Sequence, residues 1–138
     1  MADEARIGAA VMFVQQLDRS VDFYTGVLDL TVADRSPTAA LLASSSGAQL
    51  ILRAMGSNAV HPLGAVGVQY VIWTVAGMAA LERCEQALRD RRAYRQTRAS
   101  EGSTAVEGRD PDDMVVMVTY PGPDQVHGGR LPARIYGW

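Results

Sequence analysis

The sequence predicts an α+β fold made of two tandem β-α-β-β-β modules, and three observations carry that prediction. The stretch Val11–Leu30 reads as the end of a strand, a short polar corner and an amphipathic helix. The same order begins again at Gln69 and runs to Tyr120. Each copy is too short to close a hydrophobic core alone, so a duplicated unit whose sheets complete one another is the expected solution. With 138 residues, the chain has the length of one such domain. Its first module covers about 5–55, its second about 65–120, and a tail spans 121–138.

In the first module, Ile7–Val14 reads as a strand because its apolar run is β-branched and aromatic. Gln15, Gln16 and Asp18 break the run. Asp18 or Ser20, both good N-cap types, then opens a helix over Ser20–Leu28. Val21, Tyr24 and Leu28 lay one apolar stripe along it, with Phe23 and Val27 beside them. Thr31–Ala33, Ala39–Ala43 and Ala48–Arg53 read as further strands, the last two joined by the turn-rich Ser44–Gly47. Met55–Pro62, with Gly56, Asn58 and Pro62, has the composition of a linker.

The second module opens with a strand over Gln69–Val75 and a helix over Met78–Arg91, where Met78, Leu81, Cys84 and Leu88 recur at helical spacing. Tyr94–Arg98 and Ser103–Glu107 read as short strands around Glu101-Gly102. Asp110–Asp113 is a turn by composition, and Met114–Tyr120 is the last apolar strand. The stretch Leu63–Leu81 is nearly long enough to span a membrane. Gln69, Thr74, three glycines and the β-branched cluster around Val71 and Ile72 favour a buried strand running into a helix instead. The Pro- and Gly-rich tail ends in Ile135-Tyr136-Gly137-Trp138, which is expected to dock on something.

Composition narrows the function classes. Apolar residues make up 48% and charged residues 20%, an ordinary globular balance. A net charge of −2 gives no reason to expect nucleic acid or an anionic membrane as partner. Cys84 is the single cysteine, so no intramolecular disulfide can form, and with a polar, acidic opening MADEARIG a reducing cytoplasm is the expected location.

The run Leu17-Asp18-Arg19-Ser20-Val21-Asp22-Phe23-Tyr24, followed by Leu28 and Leu30, resembles the N-terminal signature of the vicinal oxygen chelate superfamily. That group contains glyoxalase I, the extradiol dioxygenases and the bleomycin-resistance proteins. Arg109-Asp110-Pro111-Asp112 resembles its second signature, and the resemblance covers about Ile7 to Tyr120. One departure is Asp29, where the family usually has Gly after the helix; Asp tolerates a left-handed backbone well enough for the turn to survive. The resemblance implies that the modules form a cup-shaped mixed sheet.

Enzymes of the superfamily hold a divalent metal inside that cup through His, Glu or Gln on the first and last strands of each module. The resemblance places those positions at Ala9, Ile51, Tyr70 and Met117. Ala9, Ile51 and Met117 offer no hard or borderline donor, and the phenol of Tyr70 is a poor one. Neither histidine, His61 or His127, lies on a predicted strand. No metal and no other cofactor is therefore expected. Strand alternation would put Val11 and Phe13 beside Ala9, Arg53 beside Ile51, Ile72 and Thr74 beside Tyr70, and Val115 beside Met117. Such a lining is apolar and partly aromatic, with Arg53 and Thr74 as polar handles, and suits an organic ligand held by burial and stacking. The plainer alternative is that these side chains simply fill the space as core.

Other features have structural explanations. The basic run Arg89, Arg91, Arg92, Arg95 and Arg98 fits a solvated helix end better than an anion site. Asp110, Asp112 and Asp113 lack the Gly and distal Glu of a calcium loop. Cys84 reads as a small core residue and Trp73 as a core residue facing the second helix. Glu101 and Glu107 could serve as acid or base only if they faced the cup, which the pattern leaves open.

Two functions compete. One is a metal-free binding protein like the bleomycin-resistance branch, homodimeric and conferring antibiotic resistance by sequestering a hydrophobic or aromatic small molecule. The other is a lyase or oxidoreductase like the glyoxalases or dioxygenases, with a divalent metal or a metal-free acid–base site. A dimeric scaffold with a filled cup is a third, blander reading.

Overall fold

The computed structural model describes residues 4–60, 64–100 and 102–126. The chain divides into two compact units, Met1–Pro62 and Leu63–Trp138. Each unit has the order β-α-β-β-β and one four-stranded mixed sheet. The change of unit falls at Pro62, the last residue of the stretch whose composition marks a linker.

The first unit contains β1 (Ala9–Val14), α1 (Leu17–Leu28), β2 (Thr31–Arg35), β3 (Ala39–Ala43) and β4 (Gln49–Ala54). Its strands lie in the order β1-β4-β3-β2, with β1 parallel to β4 and the other pairs antiparallel. The β1–β4 crossover is parallel, so it needs a connection that covers one sheet face, and α1 supplies it by packing on β3 and β4. Leu42, Leu50, Leu52 and Tyr24 are fully buried, and Val14, Leu17, Val21 and Val27 are buried beside them. Phe23 meets Tyr24 edge to face, with ring centroids 5.0 Å apart and planes at 84°.

Helix α1 corrects the expected start at Ser20. It begins at Leu17, its N-cap is Gln16, and no side chain caps it. Leu17 extends the stripe of Val21, Tyr24 and Leu28 by one turn and is buried, so the gain in apolar contact outweighs the missing cap. Asp18 instead pairs with Arg35 of β2, and Ser20 is fully buried inside the helix. The C-terminal expectation holds: Asp29 closes α1 in a left-handed conformation, φ 57° and ψ 34°.

The second unit contains β5 (Val71–Thr74), α2 (Met78–Asp90), β6 (Tyr94–Ser100), β7 (Ser103–Arg109), β8 (Val115–Tyr120) and the short α3 (Pro123–Val126). Its order is β5-β8-β7-β6, again with one parallel pair, β5 and β8. Leu81, Cys84 and Leu88 are buried on α2, which packs on β6, β7 and β8. Val106, Val116 and Val118 are buried in those strands. The stretch that could tempt a membrane reading is divided between β5 and α2, and among the described residues no helix is long and apolar enough to cross a membrane.

The tail, expected to be irregular, includes α3 within its described part, while His127 and the Ile135–Trp138 end lie outside the described residues. His61 and Glu101 also lie outside them.

Candidate functional site

Each sheet has one face under its helix and one face away from it, and the register decides which residues share a face. In the first unit, Leu50 and Leu52 of β4 and Leu42 of β3 are buried on the α1 side, so Gln49, Ile51 and Arg53 point the other way. Across β1 and β4, Ala9 pairs with Gln49, Val11 with Ile51 and Phe13 with Arg53. Across β4 and β3, Ile51 pairs with Leu41 and Arg53 with Ala39. The five candidate residues of this unit therefore lie on one face. That face is open: Val11 is 63% and Phe13 61% exposed, unusual for large apolar side chains in the middle of a strand. The Arg53 guanidinium lies 5.8 Å from the centroid of the Phe13 ring, within cation–π range.

In the second unit, Gly108 identifies the helix side, because a Cβ built on it would stand 2.7 Å from a methyl of Leu88. Thr97, whose hydroxyl lies 3.4 Å from Glu85, and Tyr94, whose ring carries Arg89 at 3.8 Å, are on that same side. Trp73 pairs with Val118 and so belongs to the helix side, as expected. The opposite face holds two rows running across all four strands. One is Ile72, Met117, Glu107 and Gln96; the other is Thr74, Thr119, Ala105 and Arg98. Val115, opposite Arg109, shares that face.

This face differs from its counterpart in the first unit. Met117, Thr119 and Ala105 are buried. Thr74 stands against the backbone of Gly122, where a Cβ would meet its hydroxyl oxygen at 2.7 Å. Tyr70 is half-buried and lies one residue before β5, not within the strand as expected. Glu107, left undecided by the sequence pattern, falls directly beside Met117. Its carboxylate accepts a hydrogen bond from the Gln96 amide at 3.1 Å, and the Gln96 carbonyl accepts one from Arg98 Nε at 3.1 Å. This Arg98–Gln96–Glu107 chain was missed because strand phase in β6 is shifted by an irregularity between Tyr94 and Gln96, invisible in the residue pattern.

The family model for the Glyoxalase/Bleomycin resistance protein/Dioxygenase superfamily matches residues 6–120. The chain belongs to that superfamily. Members of the fold among solved structures include the glyoxylase/bleomycin resistance protein/dioxygenase domain from Frankia sp. EAN1pec. It has a TM-score of 0.75 at 20% identity, covering 85% of this chain and 98% of that one. Lactoylglutathione lyase from Agrobacterium tumefaciens superposes with a TM-score of 0.63 at 20% identity, covering 85% and 94%. The fosfomycin resistance protein FosX from Mesorhizobium loti does so with 0.66 at 13% identity, covering 88% and 96%. At these identities the likeness shows the fold. Among curated proteins, none matches the sequence significantly.

Superfamily membership raises the question of a divalent metal, and the residues present do not fit one. Of the four positions the resemblance assigns, Ala9, Ile51 and Met117 have no suitable donor, and Met117 is 3% exposed within the core. Among the described residues, no three His, Cys, Asp or Glu side chains are grouped to hold a metal ion. The acidic turn at Asp110 is not a cation site either. The Asp110 carboxylate accepts the backbone N–H groups of Asp112 at 2.8 Å and Met114 at 2.9 Å, so the turn uses it internally.

Proposed function

We propose that this superfamily member is a metal-free binding protein that sequesters a hydrophobic or aromatic small molecule without transforming it. The observation that supports this most is the open face of the first sheet, where Val11, Phe13 and Ile51 present apolar surface beside Ala9, a position from which the family's enzymes reach a metal. A flat apolar strand face binds through burial and stacking, and its few polar groups fix orientation. Arg53 is the polar handle of this face; on the second sheet, taken by itself, Tyr70, Ile72, Thr74 and Val115 are proposed as ligand-binding residues. The protein is expected to act as a homodimer. A role in antibiotic resistance is the corresponding biological setting, and the fosfomycin resistance protein among the structural neighbours is in keeping with it.

Elemental analysis of protein purified without chelator, before and after soaking in Ni, Zn, Mn and Fe(II), tests the metal-free part. A content well below one equivalent per chain is expected, and a value near one would overturn it. Trp fluorescence titrations with aromatic ligands then test binding.

A second reading draws on Glu107. A carboxylate in line with Met117, oriented by Gln96, has the placement a metal-free acid–base group would need. Mass analysis of any bound ligand after prolonged incubation separates the two: unchanged ligand supports sequestration, and a product lost in Glu107→Gln supports the acid–base reading.

A further inference from the structure

We infer that the ligand is an aromatic anion, and that Arg53 is the residue that selects it; this rests on the binding role proposed above. The central two rows of the face away from α1 contain Val11, Ile51 and Leu41, then Phe13, Arg53 and Ala39. Arg53 is the one charged side chain in those rows nearest β1; it is exposed, and its guanidinium lies 5.8 Å from the centroid of the Phe13 ring. Two other arginines have carboxylate partners: Arg35 pairs with Asp18, and Arg89 lies 3.6 Å from Glu85. Arg53 has none among the described residues. The acidic side chain on the same face, Asp34, pairs in register with Leu41, beyond β4, and accepts the N–H of Arg35.

The physical consequence follows from desolvation. A planar apolar body resting on Val11, Ile51 and Phe13 must displace water from the adjacent guanidinium. Removing water from an ionised group without supplying a counter-charge is unfavourable and works against the gain from stacking. A ligand that brings its own carboxylate avoids that cost, because guanidinium and carboxylate match in a planar, two-bond geometry. The face therefore discriminates by charge as well as by shape: it favours an aryl carboxylate over the neutral compound of the same outline.

Calorimetric titration with 2-naphthoate and 2-naphthamide, on the full chain and on its Arg53→Met and Arg53→Lys variants, tests this. Arg53 is exposed, so both variants are expected to fold, which thermal melts check. Naphthoate is expected to bind at least about tenfold more tightly than naphthamide, a difference of ~1.4 kcal/mol. The preference should fall to about one in Arg53→Met and to an intermediate value in Arg53→Lys, which keeps the charge but loses the two-bond geometry. Equal binding of the two probes by the native chain overturns the inference and leaves the binding role standing. A preference unchanged in Arg53→Met also overturns it. Binding of neither probe at millimolar concentration overturns both.

Discussion

Leu88 of α2 rests directly on the backbone of Gly108 in β7. A Cβ built on Gly108 would lie 2.7 Å from one Leu88 methyl, 3.0 Å from the other and 2.7 Å from the carbonyl oxygen of Ala93. The carbonyl cannot give way, because it accepts the N–H of Arg109 at 2.9 Å. The helix can thus approach the sheet only over a residue without a side chain. Gly108→Ala should destabilise the protein by about 1–3 kcal/mol through overpacking. A urea unfolding midpoint equal to that of the native chain would refute this.

The Asp110 turn offers a second test. Asp110 is buried, and its carboxylate accepts the backbone N–H groups of Asp112 and Met114. Asp110→Ala is expected to cost about 2–3 kcal/mol, since it removes two hydrogen bonds to a charged acceptor, which are the stronger kind. Asp110→Asn keeps an acceptor oxygen and should lose roughly half as much. Chemical denaturation of the two variants side by side checks the order.

Asp29 is a position where a substitution should help. It holds a left-handed backbone at the C-terminus of α1, where its negative charge also opposes the helix dipole. Asp29→Gly relieves both and is expected to raise stability by up to about 1 kcal/mol. Asp29→Val, with a β-branched side chain in the same backbone, should lower it; the pair of melting temperatures decides.

Cys84 is buried on the apolar side of α2 between Leu81 and Leu88. Its thiol should react with a disulfide reagent only as fast as the unit opens, and rapidly once urea is added. Fast reaction under native conditions would show that α2 does not hold Cys84 as described.

The sequence by itself determined the elements and their order. Apolar periodicity located α1 and α2, and composition placed the linker at Met55–Pro62 and the turns at Ser44–Gly47 and Asp110–Asp113. The two signature runs led to the superfamily. It did so because these features are local: a helical stripe, an Asx turn or a left-handed residue such as Asp29 is specified by neighbours within a few positions. The start of α1 departs from the sequence expectation for the opposite reason, since burial of Leu17 against the sheet overrides the capping preference of Asp18 and Ser20. Alternation grouped Ala9, Val11 and Phe13, and Ile51 with Arg53, but only tertiary structure decided what stands beside them and how open each face is. Pairing register, which depends on contacts far apart in the chain, brought Gln49 and Leu41 to the Arg53 face and put Glu107 beside Met117. It also separated two faces that look alike as residue strings: one leaves Val11 and Phe13 open to solvent, and the other buries Met117. Alternation tells which residues share a side of a strand, but exposure depends on what the folded chain lays over that side.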